Sequence, residues 1–277
     1  MVDFIGVGAQ KAGTSWMYAC LYEHPEICVP IKEIHYFSRE RNFKKGIGWY
    51  EDIFNGCKEG LLKGEFSTTY LYDKKTPEKI KKEFPYAKII ISLRNPVERA
   101  YSHYRNEIKG GHIPEDQTFR GAMESDESIV GQGMYYDQVK KYIDLFGKEN
   151  VLVLILDDSK KDPRGFIKNI LEFLNVDTSF TPSMLEREVN IARTPCFVWI
   201  ERIMMHTAEF LRRIGLGKIV WLIKKGSIPD RVRNMNTKQD AREMKDKIKE
   251  ELKKEFKEDA QKLSELIGRN VVFLWDL

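Results

Sequence analysis

The segment FIGVGAQKAGTSW at residues 4–16 constrains the fold of this chain more than any other feature. Its apolar start runs into Gly8, and a small, basic and hydroxyl-bearing turn then leads into a helix-like stretch. Glycine-rich turns let successive backbone N–H groups converge on an anion, and the N-terminus of the following helix adds its dipole. The segment therefore predicts an anion site between a first strand and a first helix.

The position of the lysine separates this loop from the usual ATP-binding loop. A Walker A loop reads G-x-x-x-x-G-K-[ST], with the lysine directly after the second glycine. Gly8 and Gly13 have that spacing, but Thr14 follows Gly13 and the lysine stands at Lys11. The loop therefore suits a phosphate-like group rather than ATP with magnesium, and a plain tight turn between strand and helix is the alternative.

Composition predicts a soluble globular protein. The 277 residues, of which 42% are hydrophobic and 32% charged, fit one large domain with an ample core. A net charge of +4 is too weak and dispersed to indicate nucleic acid. Because neither a signal peptide nor an apolar run of membrane-spanning length is visible, we expect a cytoplasmic protein without a transmembrane segment. The cysteines show no metal-site spacing and are predicted to be reduced core thiols: Cys20, Cys28, Cys57 and Cys196.

Apolar, β-branched runs alternate with helix-patterned segments along the chain. We predict strands over residues 4–7, 64–67, 88–93, 151–156 and 271–274. We predict helices over residues 14–23, 77–84, 96–108, 135–146, 163–174 and 241–266. This order indicates an α/β fold, a P-loop-like three-layer domain with a central parallel sheet flanked by helices. Ligands of such sheets bind beyond the carboxyl ends of the strands.

One segment differs in character from the rest of the single domain that we predict for residues 1–277. Residues 194–236 are basic, and apolar side chains recur at helical spacing within 197–225. We predict a helical, lid-like segment packed on the domain. An amphipathic basic helix also suits a membrane surface, so peripheral membrane contact through 197–225 is the alternative.

A second anion site is predicted at residues 93–102, which read LRNPVERAYS. Asn95 suits the N-cap of a helix and Pro96 suits its first turn. Arg94 then lies beside a helix N-terminus, with Ser102 about two turns further along. A guanidinium fork and a hydroxyl can together hold a phosphate monoester, whereas a structural salt bridge is the alternative role for the arginine.

Together, the two motifs resemble those of sulfotransferases that use 3′-phosphoadenosine 5′-phosphosulfate (PAPS). The chain is similar to the branch with heparan sulfate sulfotransferase domains and bacterial carbohydrate sulfotransferases. The loop at 10–15 resembles the family's 5′-phosphosulfate loop, and 93–102 resembles its 3′-phosphate motif. The resemblance implies in-line transfer of a sulfuryl group from PAPS to a hydroxyl or amine of a carbohydrate or small molecule, leaving PAP. The cofactor-binding residues it implies are Lys11, Ala12, Gly13, Thr14, Ser15, Trp16, Arg94 and Ser102.

An acceptor must lose a proton as it attacks sulfur, so the reaction needs a positioned base. The segment PIKEIHYF at residues 30–37 offers Glu33 and His35. The resemblance implies that Glu33 is the catalytic base and that His35 orients or assists it. It also implies that Lys11 stabilises the leaving oxygen. From the residues alone, a surface charge at position 33 and an edge histidine at position 35 are the alternative.

Two departures from the family's pattern concern the acceptor and the cofactor. In the segment GEFSTTYL at residues 64–71, Phe66 stands where the heparan sulfate branch has a lysine, which argues against a polysaccharide acceptor. We predict that the neighbouring Glu65 and Ser67 line the site. The family's C-terminal Lys-Gly-Arg loop has no match, and the basic residues near its place are Arg231, Arg233 and Lys238.

Two other functional classes stay open on the sequence. A P-loop kinase or NTPase is supported by VLVLILDD at residues 151–158, which resembles a strand ending in a magnesium-binding acidic pair. A catalytically inactive binding module on a nucleotide fold is supported by the amphipathic stretch 197–225. The displaced lysine argues against the first class, and the presence of Lys11, Glu33 and His35 argues against the second.

Overall fold

The computed structural model describes residues 1–185, 194–195, 237–238 and 244–277. Its strands are β1 Phe4–Gly8, β2 Ile27–Cys28, β3 Leu62–Phe66, β4 Lys88–Leu93, β5 Val151–Ile155, β6 Thr194–Pro195 and β7 Thr237–Lys238. Its helices are α1 Thr14–Tyr22, α2 Glu40–Phe43, α3 Gly46–Asp52, α4 Thr76–Glu83, α5 Pro96–Gly110, α6 Phe119–Ser125, α7 Ser128–Gly131, α8 Tyr135–Phe146, α9 Leu156–Lys161, α10 Pro163–Leu174, α11 Asp246–Ile267 and α12 Val271–Trp275.

The central sheet is parallel and has the strand order β2-β3-β1-β4-β5. Phe4 of β1 pairs with Gly64 of β3 on one side and with Lys88 of β4 on the other. The carboxyl ends of these three strands therefore meet at one edge of the sheet. The predicted α/β fold with a parallel sheet between helices is confirmed.

Each face of the sheet carries its own apolar core. On one face, Ile5 and Ile89 pack with residues of α8, α11 and α12. On the other face, Phe4, Phe66 and Ile90 pack against α1 and α10. Because successive strand residues point to opposite faces, neighbouring positions of each strand divide between the two cores. This packing explains the near-continuous apolar character of the strands.

The expected strand over residues 271–274 is wrong, because this segment forms helix α12. The Asn270 side chain accepts a hydrogen bond from the Phe273 N–H at 3.0 Å and caps the helix. Val271 and Trp275, one turn apart, are both buried. Contact with α11 and this cap therefore override the strand preference of the two valines.

The cysteines also depart from the expectation. Cys28, at the end of β2, and Cys57, in the segment before β3, form a disulfide with Cα atoms 5.8 Å apart. The expectation that both are reduced is therefore wrong, because the pairing of β2 with β3 returns the chain beside Cys28. Cys20 is a free thiol in the core, and burial raises its pKa to about 12. Cys196 lies outside the described residues.

The predicted lid at 194–236 lies outside the described residues, except for Thr194–Pro195, whose backbone pairs antiparallel with Thr237–Lys238. The single domain over 1–277, the lid and the membrane contact through 197–225 therefore stay predictions. Arg231 and Arg233 also lie outside the described part, and Lys238 is described by its backbone alone. Where the chain is described, no helix is both long and apolar enough to cross a membrane.

Candidate functional site

The loop between β1 and α1 turns at two left-handed residues. Lys11 has a φ of 69° and Gly13 a φ of 79°, a region that glycine adopts readily and lysine rarely. The Gly13 carbonyl accepts hydrogen bonds from the N–H groups of Trp16 and Met17, which starts α1. A Cβ at Gly13 would lie 2.4 Å from Cδ1 of Leu156. Glycine is therefore required here for both its backbone conformation and its size.

The first backbone amides of α1 are available to an anion. Among the residues that the structure describes, the N–H groups of Gly13, Thr14 and Ser15 have no hydrogen-bond acceptor. Amides in the first turn of a helix lack intrahelical partners and carry the positive end of the helix dipole. These consecutive amides can therefore bind anionic oxygens without breaking any contact of the fold.

Ala12 and Trp16, two of the predicted cofactor-binding residues, make contacts that stabilise the fold. Ala12 is buried, and its carbonyl accepts a hydrogen bond from the Ser92 hydroxyl at 2.7 Å. The Trp16 ring lies 5.6 Å from the Phe166 ring, and its indole N–H donates to the Met184 carbonyl at 3.1 Å. These contacts hold the loop against β4 and α10.

The Lys11 side chain reaches helix α5. Its Nζ lies 3.1 Å from Oδ1 of Asn106, a residue that the sequence motifs do not single out. Burial, together with the positive charges of Lys109 and Arg94, lowers the pKa of Lys11 to about 8. A bound anion reduces the repulsion between neighbouring cations that lowers the pKa of a lysine. The electrostatics of this cleft therefore favour an anionic ligand.

Helix α5 begins as its sequence predicts. The Asn95 side chain accepts hydrogen bonds from the N–H groups of Val97 and Glu98, the former at 3.0 Å, and Pro96 occupies the first helical position. The Asn95 amide also donates to the Trp275 carbonyl at 2.9 Å, which joins the start of α5 to α12. This double anchoring fixes the backbone that carries Arg94.

Arg94 lies beside the glycine-rich loop. Its Nη1 is 3.5 Å from the Lys11 carbonyl, and its Nη2 is 2.8 Å from Oε2 of Glu98. Ser102 is half-buried further along α5, and in the described part of the chain its hydroxyl has no hydrogen-bond partner. The structure therefore brings the arginine to the loop and leaves the serine hydroxyl available.

Glu33 and His35 lie in contact in the segment that follows β2. The Glu33 N–H donates to the Phe66 carbonyl at 2.7 Å, which holds the segment against the end of β3. Glu33 and His35 have φ values of 63° and 53°, and the resulting turns place Nε2 of His35 3.4 Å from Oε2 of Glu33. The other ring nitrogen, Nδ1, lies 2.9 Å from the Thr69 hydroxyl.

The protonation states of this pair follow from their surroundings. Burial favours the neutral form of Glu33, but the charge and hydrogen bond of the Lys32 ammonium and the hydrogen bond from the Thr68 N–H outweigh it, so the pKa of Glu33 lies below its ordinary value. Burial lowers the pKa of His35 to about 4. At neutral pH the pair is therefore a carboxylate beside a neutral imidazole. The Glu33 side chain is 30% exposed and that of His35 11%, so the carboxylate is the more accessible group.

Glu65 and Ser67 lie behind the site rather than lining it, so that prediction is wrong. Both side chains are completely buried. The Phe66 ring is also buried and lies 6.2 Å from the Phe4 ring and 6.4 Å from the Tyr18 ring. Because β3 alternates its side chains, Phe66 enters the core beside α1 while its two neighbours turn to the other face.

The acidic pair after β5 is held by structural contacts. The Asp158 carboxylate accepts a hydrogen bond from Nη2 of Arg269 at 2.6 Å. Oδ2 of Asp157 lies 3.3 Å from Nε1 of Trp275. Both acids therefore link α9 to the C-terminal segment of the chain. These structural contacts are a sufficient reason for the acidic pair, so the pair does not by itself indicate a magnesium site.

Several known proteins are similar to this chain in sequence. Residues 2–194 match the family model described as a sulfotransferase domain. Mouse heparan sulfate glucosamine 3-O-sulfotransferase 3A1 is 28% identical over 182 residues, which cover 63% of this chain and 46% of that protein. Mouse bifunctional heparan sulfate N-deacetylase/N-sulfotransferase 4 is 26% identical over 208 residues, covering 65% of this chain and 23% of that protein. The chain thus spans less than half the length of these curated relatives.

Solved structures show the same fold. The crystal structure of a sulfotransferase from Alicyclobacillus acidocaldarius superposes with a TM-score of 0.62 and 30% sequence identity, covering 79% of this chain and 96% of that one. The sulfotransferase domain from the curacin biosynthetic pathway shares the fold at a TM-score of 0.51 and 14% identity, covering 68% of this chain and 79% of that one. Since the family model also spans well over half of the sequence, this chain belongs to the sulfotransferase family.

Proposed function

We propose that this protein transfers the sulfuryl group of PAPS to a hydroxyl or amine of a carbohydrate or small-molecule acceptor. Membership of the sulfotransferase family supports sulfuryl transfer. The observation that carries the proposal is the position of Lys11 between the two anion motifs. Its Nζ contacts Asn106 of α5 at 3.1 Å, and its carbonyl lies 3.5 Å from Arg94.

The residues of the cleft fit a donor with an anionic group at each end. In this proposal the amides of Gly13, Thr14 and Ser15 hold the 5′-phosphosulfate, while Arg94 and Ser102 hold the 3′-phosphate. Arg94 pairs with Glu98 in the structure, so binding would exchange a carboxylate for a phosphate. A guanidinium forms charge-assisted hydrogen bonds with a carboxylate and with a phosphate alike.

The proposed reaction is an in-line displacement at sulfur. The acceptor oxygen or nitrogen forms a bond to sulfur as the bond between sulfur and the phosphate oxygen of PAP breaks. The acceptor proton passes to the Glu33 carboxylate, and the electron pair of the broken bond stays on the leaving oxygen. In this proposal Lys11 neutralises that oxygen, since fixed cations stabilise charge that develops in such transition states.

Glu33 is the base in this proposal because it is the accessible, ionised member of the pair. Its carboxylate is held by the Thr68 N–H at 3.0 Å and by the Thr68 hydroxyl at 3.1 Å. His35, neutral at pH 7, contacts the same carboxylate and can orient it. A base that is already deprotonated at neutral pH can accept the acceptor's proton without first losing its own.

The experiment that tests this function combines donor binding with an acceptor screen. Calorimetry should detect binding of PAP without magnesium, and incubation with PAPS and panels of sugars, amino sugars and small phenols should give sulfated products by mass spectrometry. Magnesium-dependent binding of ADP with none of PAP would replace the proposal with a kinase or NTPase. Tight PAP binding with no transfer to any acceptor would favour a catalytically inactive binding module.

A further inference from the structure

A buried carboxyl group lies directly behind the segment that carries the proposed base. Glu65, near the end of β3, has no exposed surface. Its Oε2 accepts a hydrogen bond from the Ser67 hydroxyl at 2.7 Å, and its Oε1 accepts one from each of the Tyr50 and Tyr70 hydroxyls, both at 2.9 Å. Within the described residues no basic side chain pairs with it. Burying a carboxyl group whose hydrogen-bond partners are all hydroxyls costs free energy of folding, so its neighbours should indicate the role that it serves.

Two of these hydroxyls also hold the backbone of the base segment. The Ser67 oxygen accepts a hydrogen bond from the His35 N–H at 2.9 Å. The Tyr70 oxygen accepts one from the Phe37 N–H at 3.3 Å. A hydroxyl has a single proton, so donation to Glu65 leaves its lone pairs facing the amides.

The base segment depends on such side-chain acceptors because its backbone is irregular. Glu33 and His35 both have positive φ values, so residues 33–37 cannot continue as a strand paired to β3. Buried amides without a ladder partner need another acceptor. The hydroxyls anchored by Glu65 supply it for His35 and Phe37.

We propose that Glu65 is a positioning residue for the base. Its carboxyl fixes the hydroxyls of Ser67 and Tyr70, these fix the amides of His35 and Phe37, and the segment thereby holds the Glu33 carboxylate in its working orientation. The inference rests on the proposed function, since it concerns the residue assigned there as the base. Glu65 itself is sealed from the cleft and acts only through these neighbours.

Glu65→Gln is the central variant, because it keeps the shape of the side chain but replaces one acceptor oxygen with an N–H donor. That N–H donor would face a hydroxyl whose own proton points at the same side chain, so two donors would meet without an acceptor. Ser67→Ala and Tyr70→Phe each remove the acceptor of one amide. Tyr50→Phe is the matched control, since Tyr50 donates to the same carboxyl oxygen but, in the described part of the chain, accepts no backbone amide.

The expected kinetic result is a fall in kcat without a change in donor binding. A slightly misplaced base loses about 10- to 100-fold in rate, so Glu65→Gln, Ser67→Ala and Tyr70→Phe should each lower kcat within that range. The KM for PAPS and the affinity for PAP should stay at the wild-type values, and Tyr50→Phe should keep the wild-type kcat. Hydrogen exchange should show lost protection of the His35 amide in Ser67→Ala, of the Phe37 amide in Tyr70→Phe and of both amides in Glu65→Gln, with neither amide changed in Tyr50→Phe.

Three results would overturn the positioning role. These are a wild-type kcat in a folded Glu65→Gln protein, unchanged protection of both amides, or an equal loss of kcat in Tyr50→Phe. If Glu65→Gln does not fold, Ser67→Ala and Tyr70→Phe carry the same test. A loss of activity in Glu33→Gln with none in Glu65→Gln would overturn this inference alone. Absence of any PAPS-dependent transfer by the wild type would instead overturn the proposed function, while hydrogen exchange would still test whether Glu65 holds the segment.

Discussion

The Lys11 side chain joins the loop between β1 and α1 to helix α5, and its charge is sensitive to pH. Burial and neighbouring cations lower its pKa to about 8, so the free protein loses this positive charge as the pH rises through that value. We therefore expect kcat/KM for PAPS to fall above about pH 8, whereas kcat should be flatter because a bound anion retains the proton. Lys11→Arg should move the fall to higher pH, and Lys11→Ala should abolish transfer. A fall at the same pH in Lys11→Arg would assign it to another group.

Glu33 gives a second prediction at the residue scale. Glu33→Gln keeps the size of the side chain but removes its ability to take a proton. We expect kcat to fall by about 10²- to 10⁴-fold, the usual contribution of a general base, with unchanged PAP binding by calorimetry. His35→Ala is the comparison variant. If Glu33→Gln stays active while His35→Ala is inactive, the base is His35.

Single residues differ in how far the sequence reveals them. Lys11, Arg94 and Glu33 belong to short motifs whose chemistry is local, so their neighbourhood could be predicted. The contact between Asn106 and Lys11 could not be predicted, because it joins positions 95 residues apart and depends on how α5 lies across the loop. The burial of Glu65 depends in the same way on the face to which β3 turns it.

At the scale of elements, the junction between β4 and α5 is the proposed binding site for the 3′-phosphate of the donor. Arg94→Ala removes a guanidinium at the end of β4 that lies beside the Lys11 carbonyl. Loss of a hydrogen bond to a charged group costs about 1.5–3 kcal/mol, so the KM for PAPS should rise by about 10- to 100-fold. The KM for the acceptor should not change. An equal rise in both KM values would mean that Arg94 supports the whole cleft rather than the donor site.

The cap of α5 gives a stability prediction at the same scale. Asn95→Ala removes the cap and also the bond to the Trp275 carbonyl. We expect the free energy of unfolding in urea to fall by more than the roughly 1 kcal/mol typical of a lost cap. Thr118→Ala, which removes only the cap of α6, is the control and should show the smaller loss. Equal losses would mean that the link to α12 contributes nothing.

Elements with strong local signals could be predicted, and those that depend on tertiary contacts could not. The start of α5 was readable from Asn95 and Pro96, whose cap and first-turn roles are local. Helix α12 has an apolar, β-branched sequence, and its helical form depends on the Asn270 cap and on burial beside α11. Strand β2, only two residues long, joins the sheet through its pairing with β3 and has no periodicity of its own.

At the scale of the whole molecule, the disulfide between Cys28 and Cys57 joins β2 to the segment before β3. It closes a loop with a sequence separation of 29 residues. Loops of this length are stabilised by about 3–4 kcal/mol in the chain-entropy model, so Cys28→Ser should lower the free energy of unfolding by that order. A reducing agent should destabilise the wild type and Cys20→Ala equally, but leave Cys28→Ser unchanged. A wild type insensitive to reductant would mean that the bond does not form.

The same bond bears on where the protein works. Disulfides are rare in reducing compartments, so the predicted cytoplasmic location and a persistent Cys28–Cys57 bond oppose each other. The pairing could not be predicted, because neither cysteine belongs to a recognisable motif and only the sheet brings them together. Mass spectrometry of the protein isolated under thiol-trapping conditions should show whether Cys28 and Cys57 are reduced, as a cytoplasmic location predicts, or joined by the disulfide.

The most direct test of the proposed sulfuryl transfer is a single-turnover reaction with PAPS radiolabelled at sulfur and an acceptor found in the screen. If Lys11 and Glu33 act as proposed, the label passes to the acceptor in step with the appearance of PAP, and folded Lys11→Ala and Glu33→Gln proteins transfer little or none. If the wild type binds PAPS but leaves the label on the donor, or if both variants transfer it at the wild-type rate, the central claim is wrong.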